Sequence, residues 1–324
     1  MSGSEKIIKP KLGVSLDNAQ AIADRVEPGS KITQVIELAG GDISGVFELN
    51  RAGGVPSLIL KVYPELMHWK LDKEVSLYNR LAQHPHLPLP QILWHDSSKT
   101  ILPLNLLVMT KIDGRMLSSV ESSLDDAALY SIFLQMGQTL RKFHDIRMEN
   151  FGYLVSTGIK DSHTNNEAYM SFQFDKKLNE FKKYGGDTRL AAQIQQFAAA
   201  SSPLLANCHS AVFCHNDFHT GNIIVSKISR DGWRLSGVID LENAIAGDPP
   251  LDIAKTCLYS IGENHVKANG FITGCGSIGR SEPEKAIDLY RLYHALEWWD
   301  WSAFIGREPL PFLIKEMERI VTVY

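Results

Sequence analysis

The sequence predicts an α+β chain with a small antiparallel sheet first and a larger, mainly helical part after it. Three observations predict this. Short apolar β-type runs separated by turn residues fill the first 112 residues. Long helical periods dominate the rest. Asp113-Gly114 marks the change of texture, so the expected division is 1–112 and 113–324. At 324 residues, with 44% hydrophobic and 22% charged, the chain can build its core without disulfide staples.

In order, Ser15 is placed to cap a helix through about Arg25. Lys31 to Leu38 reads as a strand, and Gly40-Gly41-Asp42-Ile43-Ser44-Gly45 as a glycine-rich turn. Val46-Phe47-Glu48-Leu49 reads as the returning strand, and Ser57 to Tyr63 as a third that holds a single lysine, Lys61. Hairpin spacing makes these three antiparallel. Pro64 ends the third strand, and a helix is expected over Leu71 to Ala82. Gln91 to His95 and Leu104 to Lys111 complete the sheet.

After Gly114, Leu124 to His144 carries an amphipathic stripe of Leu129, Ile132, Phe133, Met136, Leu140 and Phe143. Ala168 to Ala206 is helical in character. Three short strands are expected at Ala211–Cys214, Ile223–Lys227 and Trp233–Ile239, the last two joined by Ser229-Arg230-Asp231-Gly232. Leu251 to Tyr324 reads as helices.

Composition excludes several classes. A net charge of -4, from 33 basic and 37 acidic residues, gives no basic field for nucleic acid. The four cysteines, Cys208, Cys214, Cys257 and Cys275, form no C-x-x-C pair, which argues against a zinc ribbon and fits a reducing compartment. The start, Met1 to Lys6, precedes no apolar leader segment, and no apolar run is long enough to span a membrane. The expectation is a cytoplasmic protein.

Chemistry concentrates in Cys214-His215-Asn216-Asp217-Phe218-His219-Thr220-Gly221-Asn222. A strand delivers the carboxylate of Asp217, and five residues on comes the carboxamide of Asn222. The carboxylate can accept a proton from a substrate hydroxyl. The carboxamide oxygen is a hard neutral ligand suited to Mg²⁺. Eighteen residues later Asp240 arrives at the end of the hairpin, so Asn222 and Asp240 form a candidate Mg²⁺ pair. Phosphates held by such a metal require fixed positive charge as well, and Lys61 can supply it. A lone ammonium in an apolar strand needs a partner, and Glu74 on the following helix is placed to be one.

These residues resemble the aminoglycoside phosphotransferase and choline kinase-like family, within the protein kinase-like fold. The resemblance rests on His215-Asn216-Asp217 with Asn222, on Ile239-Asp240, and on Gly247-Asp248-Pro249-Pro250-Leu251-Asp252-Ile253-Ala254. Leu107 to Gly114 is similar to that family's interlobe hinge, and Leu140-Arg141-Lys142-Phe143-His144 to its L-x-x-L-H helix. The likeness covers roughly residues 30 to 300.

It implies a bilobal fold with ATP, or GTP in its place, and Mg²⁺. It implies Asp217 as catalytic base, Asn222 and Asp240 as metal ligands, Lys61 on the nucleotide phosphates and Glu74 holding Lys61. Backbone groups of Thr110 and Ile112 would read the adenine edge, with Met109 lining the pocket. The acceptor would be a small hydroxylated molecule. Two departures stand out: Asn216 where glycine is usual, and Thr220 where proline is common. Leu241-Glu242 replaces the D-F-G continuation of protein kinases, which disfavours that group.

Other readings compete. A regulatory nucleotide-binding module without transfer would keep Lys61 but lack the base or the metal ligands, and this chain has them all. A zinc hydrolase built on His209, His215 and His219 lacks the helix that i,i+4 ligation needs. His215 is expected to brace the loop, and His219 either to support it or to touch phosphate. Asp252 is expected to cap the next helix or brace the loop, and Glu242 to assist the metal or, the preferred reading, to point to solvent. Tyr290, Tyr293, Trp298, Trp299 and Trp301 read first as a buried helix and second as a wall against substrate. Ser281 to Tyr324 holds eight acidic and five basic residues, a lean toward a cationic acceptor. Oligomeric state has no signature in the sequence.

Overall fold

The computed structural model describes residues 13–38, 44–229, 232–308 and 310–324. Gly40 to Ile43 of the glycine-rich turn, Arg230 and Asp231 of the later hairpin, and the segment Met1 to Lys6 lie outside the described residues. By contacts the chain divides into two units. The first runs to Gly114 and takes back Val155–Thr157 and Ser236–Glu242; the second holds the remainder.

In the first unit, α1 (Leu16–Val26) starts where expected, its Asn18 N–H donating to the Ser15 side chain. It is followed by β1 (Ile32–Leu38), β2 (Gly45–Arg51), β3 (Leu58–Tyr63), α2 (His68–Leu81), β4 (Ile92–Asp96) and β5 (Asn105–Thr110). The five strands form one sheet in the order β1-β2-β3-β5-β4, antiparallel at every pairing. Alternation along β3 sends its side chains to two different faces. Leu58, Leu60 and Val62 join Ile22 and Ala23 of α1 in one apolar core. Lys61 and Tyr63, equally buried, occupy the opposite face.

The second unit begins with β6 (Arg115–Met116), α3 (Leu117–Val120), α4 (Asp126–His144), β7 (Phe151–Val155) and β8 (Gly158–His163). Next come α5 (Asn166–Lys183), α6 (Thr188–Ala200), α7 (Ser202–Ala206), β9 (Val212–Cys214), β10 (Ile223–Lys227) and β11 (Trp233–Val238), whose last three residues belong to the first unit. The chain then forms β12 (Ile245–Gly247), α8 (Pro249–Thr256), a π turn at Cys257–Ile261, α9 (His265–Cys275), α10 (Pro283–Phe304) and α11 (Pro311–Val323). Two small sheets are present, β11-β10-β6 and β8-β7-β12-β9. The short strands β6, β7, β8 and β12 were not expected; β6 and β12, of two and three residues, are too brief to show a period. The α+β class, with an antiparallel sheet early and helices late, holds.

All six positions of the predicted α4 stripe are buried. That helix is met by α9 at backbone contact. A Cβ added at Gly274 would lie 2.1 Å from the Leu134 carbonyl oxygen, and one at Gly137 would lie 2.3 Å from that of Phe271. Glycine is therefore required on both helices, because backbone cannot give way as a side-chain tip can. No helix among the described residues is long and apolar enough to cross a membrane.

Gly274→Ala is expected to overpack this crossing and lower stability by about 1–3 kcal/mol, read in a denaturant or thermal unfolding curve. An unchanged midpoint would show that the helices can separate at no cost.

Candidate active site

Two groups of ionisable side chains are built, one on each unit. In the first unit the side of β3 that carries Lys61 is covered by α2. Lys61 Nζ donates to both Glu74 oxygens, at 3.0 and 2.9 Å, and to Asp240 Oδ1 at 3.2 Å. The Tyr63 hydroxyl also donates to Glu74. Burial alone would lower the Lys61 pKa, but the carboxylates of Asp240 and Glu74 hold it well above the ordinary lysine value. Asp240 comes from the returning segment, in a left-handed conformation (φ 69°), and its N–H donates to the Tyr78 hydroxyl at 3.2 Å. The structure thus brings Lys61, Glu74 and Asp240 together.

Glu242 does not point to solvent. It is buried and accepts from Lys70 Nζ at 2.5 Å. Burial and the neighbouring Asp240 carboxylate raise its pKa, against the pull of Lys70. The sequence reading placed Glu242 by its loop position and missed the cation that draws it inward. Lys70 and Lys73 were both missed, though Lys70 and Glu74 stand at i,i+4 spacing on one face of α2. Lys73 is buried too, and desolvation with the charge of Lys70 lowers its pKa to about 6.

Of the predicted hinge residues, Met109 is buried in β5 between Ile59 and Ile92. The Thr110 N–H already donates to the Gln91 carbonyl at 2.9 Å, so Thr110 has only its carbonyl to offer a base edge. Ile112 covers Gly237, where a Cβ would come within 2.6 Å of Ile112 Cδ1.

The second unit holds the loop from β9 to β10. Asp252, in the first turn of α8, is fully buried and sets that loop's shape. Its Oδ1 accepts the Asn216 N–H at 2.6 Å, and its Oδ2 accepts the His215 N–H at 2.9 Å. His144 Nε2 lies 3.0 Å from Oδ2. Asp252 is therefore the brace, one of the two roles expected for it. Asn216 makes the tight turn with a φ of 57°, and its amide donates to the Asn243 carbonyl at 3.0 Å. The His215 ring packs edge-on against Phe143 and Phe218.

Asp217 follows, its side chain 17% exposed. Oδ2 accepts from Asn222 Nδ2 at 3.2 Å and from Asn243 Nδ2 at 3.3 Å. On the other side, His219 Nε2 lies 3.4 Å and Lys255 Nζ 3.8 Å from Oδ1. Burial would raise this carboxyl's pKa; the His219 hydrogen bond and the Lys255 charge overcome it and hold the pKa far below the carboxylate range. His219 also caps the turn, accepting the Gly221 N–H at 3.0 Å. Asn222 uses its amide nitrogen on Asp217 and turns the opposite end, its hard carbonyl oxygen, away from those bonds. Asn243, Lys255 and Tyr259 escaped sequence reasoning. The signal was there for two of them, since Asp252, Lys255 and Tyr259 recur at helical spacing.

The carbonyl oxygen of Asn222, on the second unit, and the carboxylate of Asp240, on the first, are each of the donor type that a hard cation takes. Asp240 has a side chain 33% exposed, while Glu74 beside it is spent on Lys61 and Tyr63.

Residues 35–274 match the phosphotransferase enzyme family, and the chain belongs to it. No curated protein matches the chain. Among solved structures, it is similar to a thermostable mutant of the aminoglycoside phosphotransferase APH(4)-Ia in ternary complex with ADP and hygromycin B. There the TM-score is 0.70 at 16% identity, over 94% of this chain and 97% of that one. A choline/ethanolamine kinase family protein from Mesorhizobium loti gives 0.62 at 14%, over 95% and 92%. Spectinomycin phosphotransferase APH(9)-Ia, in complex with ADP and spectinomycin, gives 0.55 at 13%, over 94% and 96%. These likenesses bear out the kinase-like fold.

Two outcomes test the geometry. Asn216→Gly should change stability by less than about 1 kcal/mol, whereas Asn216→Val, forced to positive φ, should cost about 1–3 kcal/mol in denaturant unfolding. Lys73 binds its proton in the unfolded chain up to its ordinary pKa but in the folded chain only below about 6. Stability should therefore rise with pH between those values and fall as pH drops through them. Lys73→Met should flatten that slope; a slope that survives the substitution would place its origin elsewhere.

Proposed function

We propose that this phosphotransferase family member moves the γ-phosphate of Mg-ATP to a hydroxyl of a small molecule, with GTP as the alternative donor. The observation that carries the reading is Asp217: a mostly buried carboxylate, kept charged, on a loop whose backbone is tied to Asp252. Asp217 receives the acceptor hydroxyl and takes its proton. Its low basicity suits the task, because phosphoryl transfer forms little new bond to the acceptor in its transition state. Placement of the hydroxyl then matters more than base strength.

Lys61 meets the nucleotide phosphates, and Glu74 holds its ammonium in position. Asn222, at the start of β10, and Asp240, just past β11, would hold Mg²⁺ through their oxygens. When bound, the ion supplies neutralising charge to the phosphate oxygens. The Thr110 carbonyl and the Ile112 N–H would read the adenine edge, beside Met109. On this reading the nucleotide is held by residues 1–112 and the acceptor by 113–324, with Asp240 lent to the first part.

Asp217→Asn should reduce transfer by about 10²–10⁴-fold with the fold intact by circular dichroism. Asp240→Ala should weaken Mg-ATP binding at least about tenfold by calorimetry, since it removes a charged ligand. Full turnover in the first variant with an identified acceptor would overturn the assignment of the base. Equal affinity in the second would remove Asp240 from the metal.

A further inference from the structure

The loop from β9 to β10 is held by one side of one helical element. Asp252, in the first turn of α8, takes the N–H groups of His215 and Asn216, just before Asp217. Four residues on, the hydroxyl of the buried Thr256 donates to the Phe218 carbonyl at 2.6 Å. Four further on, in the π turn at Cys257–Ile261, Ser260 Oγ accepts the Thr220 N–H at 2.9 Å. Such spacing keeps the three side chains on neighbouring turns of one face. Asp217 is thereby flanked, with backbone groups before and after it tied to the same element.

The bond at Thr220 answers a specific need. Thr220 is buried and opens a 3₁₀ turn over Thr220–Asn222, after an extended His219 (φ -144°, ψ 168°). An extended residue followed by the first position of a helical turn is a backbone that proline fits, because the N–H there has no partner within the turn. This chain keeps the N–H, and a buried N–H must find an acceptor. Ser260 supplies it from outside the turn. Ser260 is itself secured by Lys267, whose Nζ donates to the Ser260 carbonyl at 3.1 Å and to Glu121 Oε2 at 3.0 Å.

The turn that Thr220 opens carries Asn222. The Asn222 backbone N–H donates to the His219 carbonyl at 2.8 Å, and its side-chain amide donates to the Asp217 carbonyl at 2.9 Å and to Asp217 Oδ2 at 3.2 Å. A turn free to shift at its first residue would move Asn222 and, through it, the Asp217 carboxylate. We propose that Ser260 is a positioning residue for Asp217 and Asn222, its bond to the Thr220 N–H giving the loop the constraint that a proline ring in place of Thr220 would build into the backbone. The proposal rests on the reading of Asp217 as the residue that receives the hydroxyl. It also gives Thr220, the second departure from the family's pattern, its physical counterpart in Ser260.

The test is a substitution cycle in the full chain: Ser260→Ala, Thr220→Pro and the two together, each checked for fold by circular dichroism. Mg-ATP turnover with water as acceptor is read well below the unfolding midpoint, so that loss of fold does not enter. Ser260→Ala should cut kcat about tenfold, as displacement of the base and its neighbour would. In the Thr220→Pro background, where no N–H is left to satisfy, the same substitution should cost less than about twofold. Ser260→Thr, which keeps the acceptor oxygen, should recover most of the loss. A second readout needs no nucleotide: the side-chain amide resonances of Asn222 should shift on Ser260→Ala, and much less when that change is made beside Thr220→Pro. Full kcat with unmoved Asn222 resonances in Ser260→Ala, or losses of equal size in both backgrounds, overturns the proposal. Full turnover in Asp217→Asn, or none in the unsubstituted chain, strikes the phosphotransfer reading instead, and the resonances then decide the role of Ser260 by themselves.

Discussion

The site on the second unit depends on one buried carboxylate. Asp252 accepts two consecutive backbone N–H groups, those of His215 and Asn216, and a third donor position belongs to His144. Two amides pointing at one side chain fix two peptide planes, and with them the direction in which Asp217 leaves the strand. A carboxylate does this better than a neutral acceptor, because charge-assisted bonds are shorter and stronger. It also stands in the first turn of α8, where the helix dipole favours negative charge. The same helix then offers Lys255 on the same face, so one element both shapes the loop and sets the charge beside it.

The first unit solves a harder electrostatic problem. Lys61, Lys70, Lys73, Glu74 and Glu242 are all buried there, and Asp240 is partly so. Isolated charges at such depth would be prohibitive, and pairing recovers only part of the cost. The arrangement pairs Lys61 with Glu74 and Asp240, and Lys70 with Glu242. Where burial exceeds pairing, the proton balance shifts, as at Lys73. Such a cluster of paired charges holds its geometry without waiting for a ligand.

Most of this architecture was legible in the residues. The α4 stripe, the five-stranded sheet and the Ser15 cap come from period and capping chemistry, which are local. Lys61 and Glu74 were found because a single lysine in an apolar strand demands a partner. What escaped was of two kinds. Strands of two or three residues, β6 and β12, carry no periodic signal. Side chains such as Glu242 and Lys255 are decided by partners 172 and 42 residues away, and no local rule reports them. The membership of Asp240 in the first unit is of the same kind, since it is fixed by Lys61 and the Tyr78 hydroxyl rather than by its neighbours in sequence.

The departure at Asn216 shows how a changed residue can be absorbed. The position needs a positive φ, because both its own N–H and the preceding one must face Asp252. Glycine meets that need freely, and asparagine is among the least strained alternatives. Here the side chain also returns something. The Asn216 amide donates to the Asn243 carbonyl, and the Asn243 amide donates in turn to Asp217 Oδ2. The residue that stands where the family's pattern has glycine is thereby wired, through one neighbour, to the Asp217 carboxylate. Backbone conformation is the fixed requirement at this position; the side chain that satisfies it is free to add a second support.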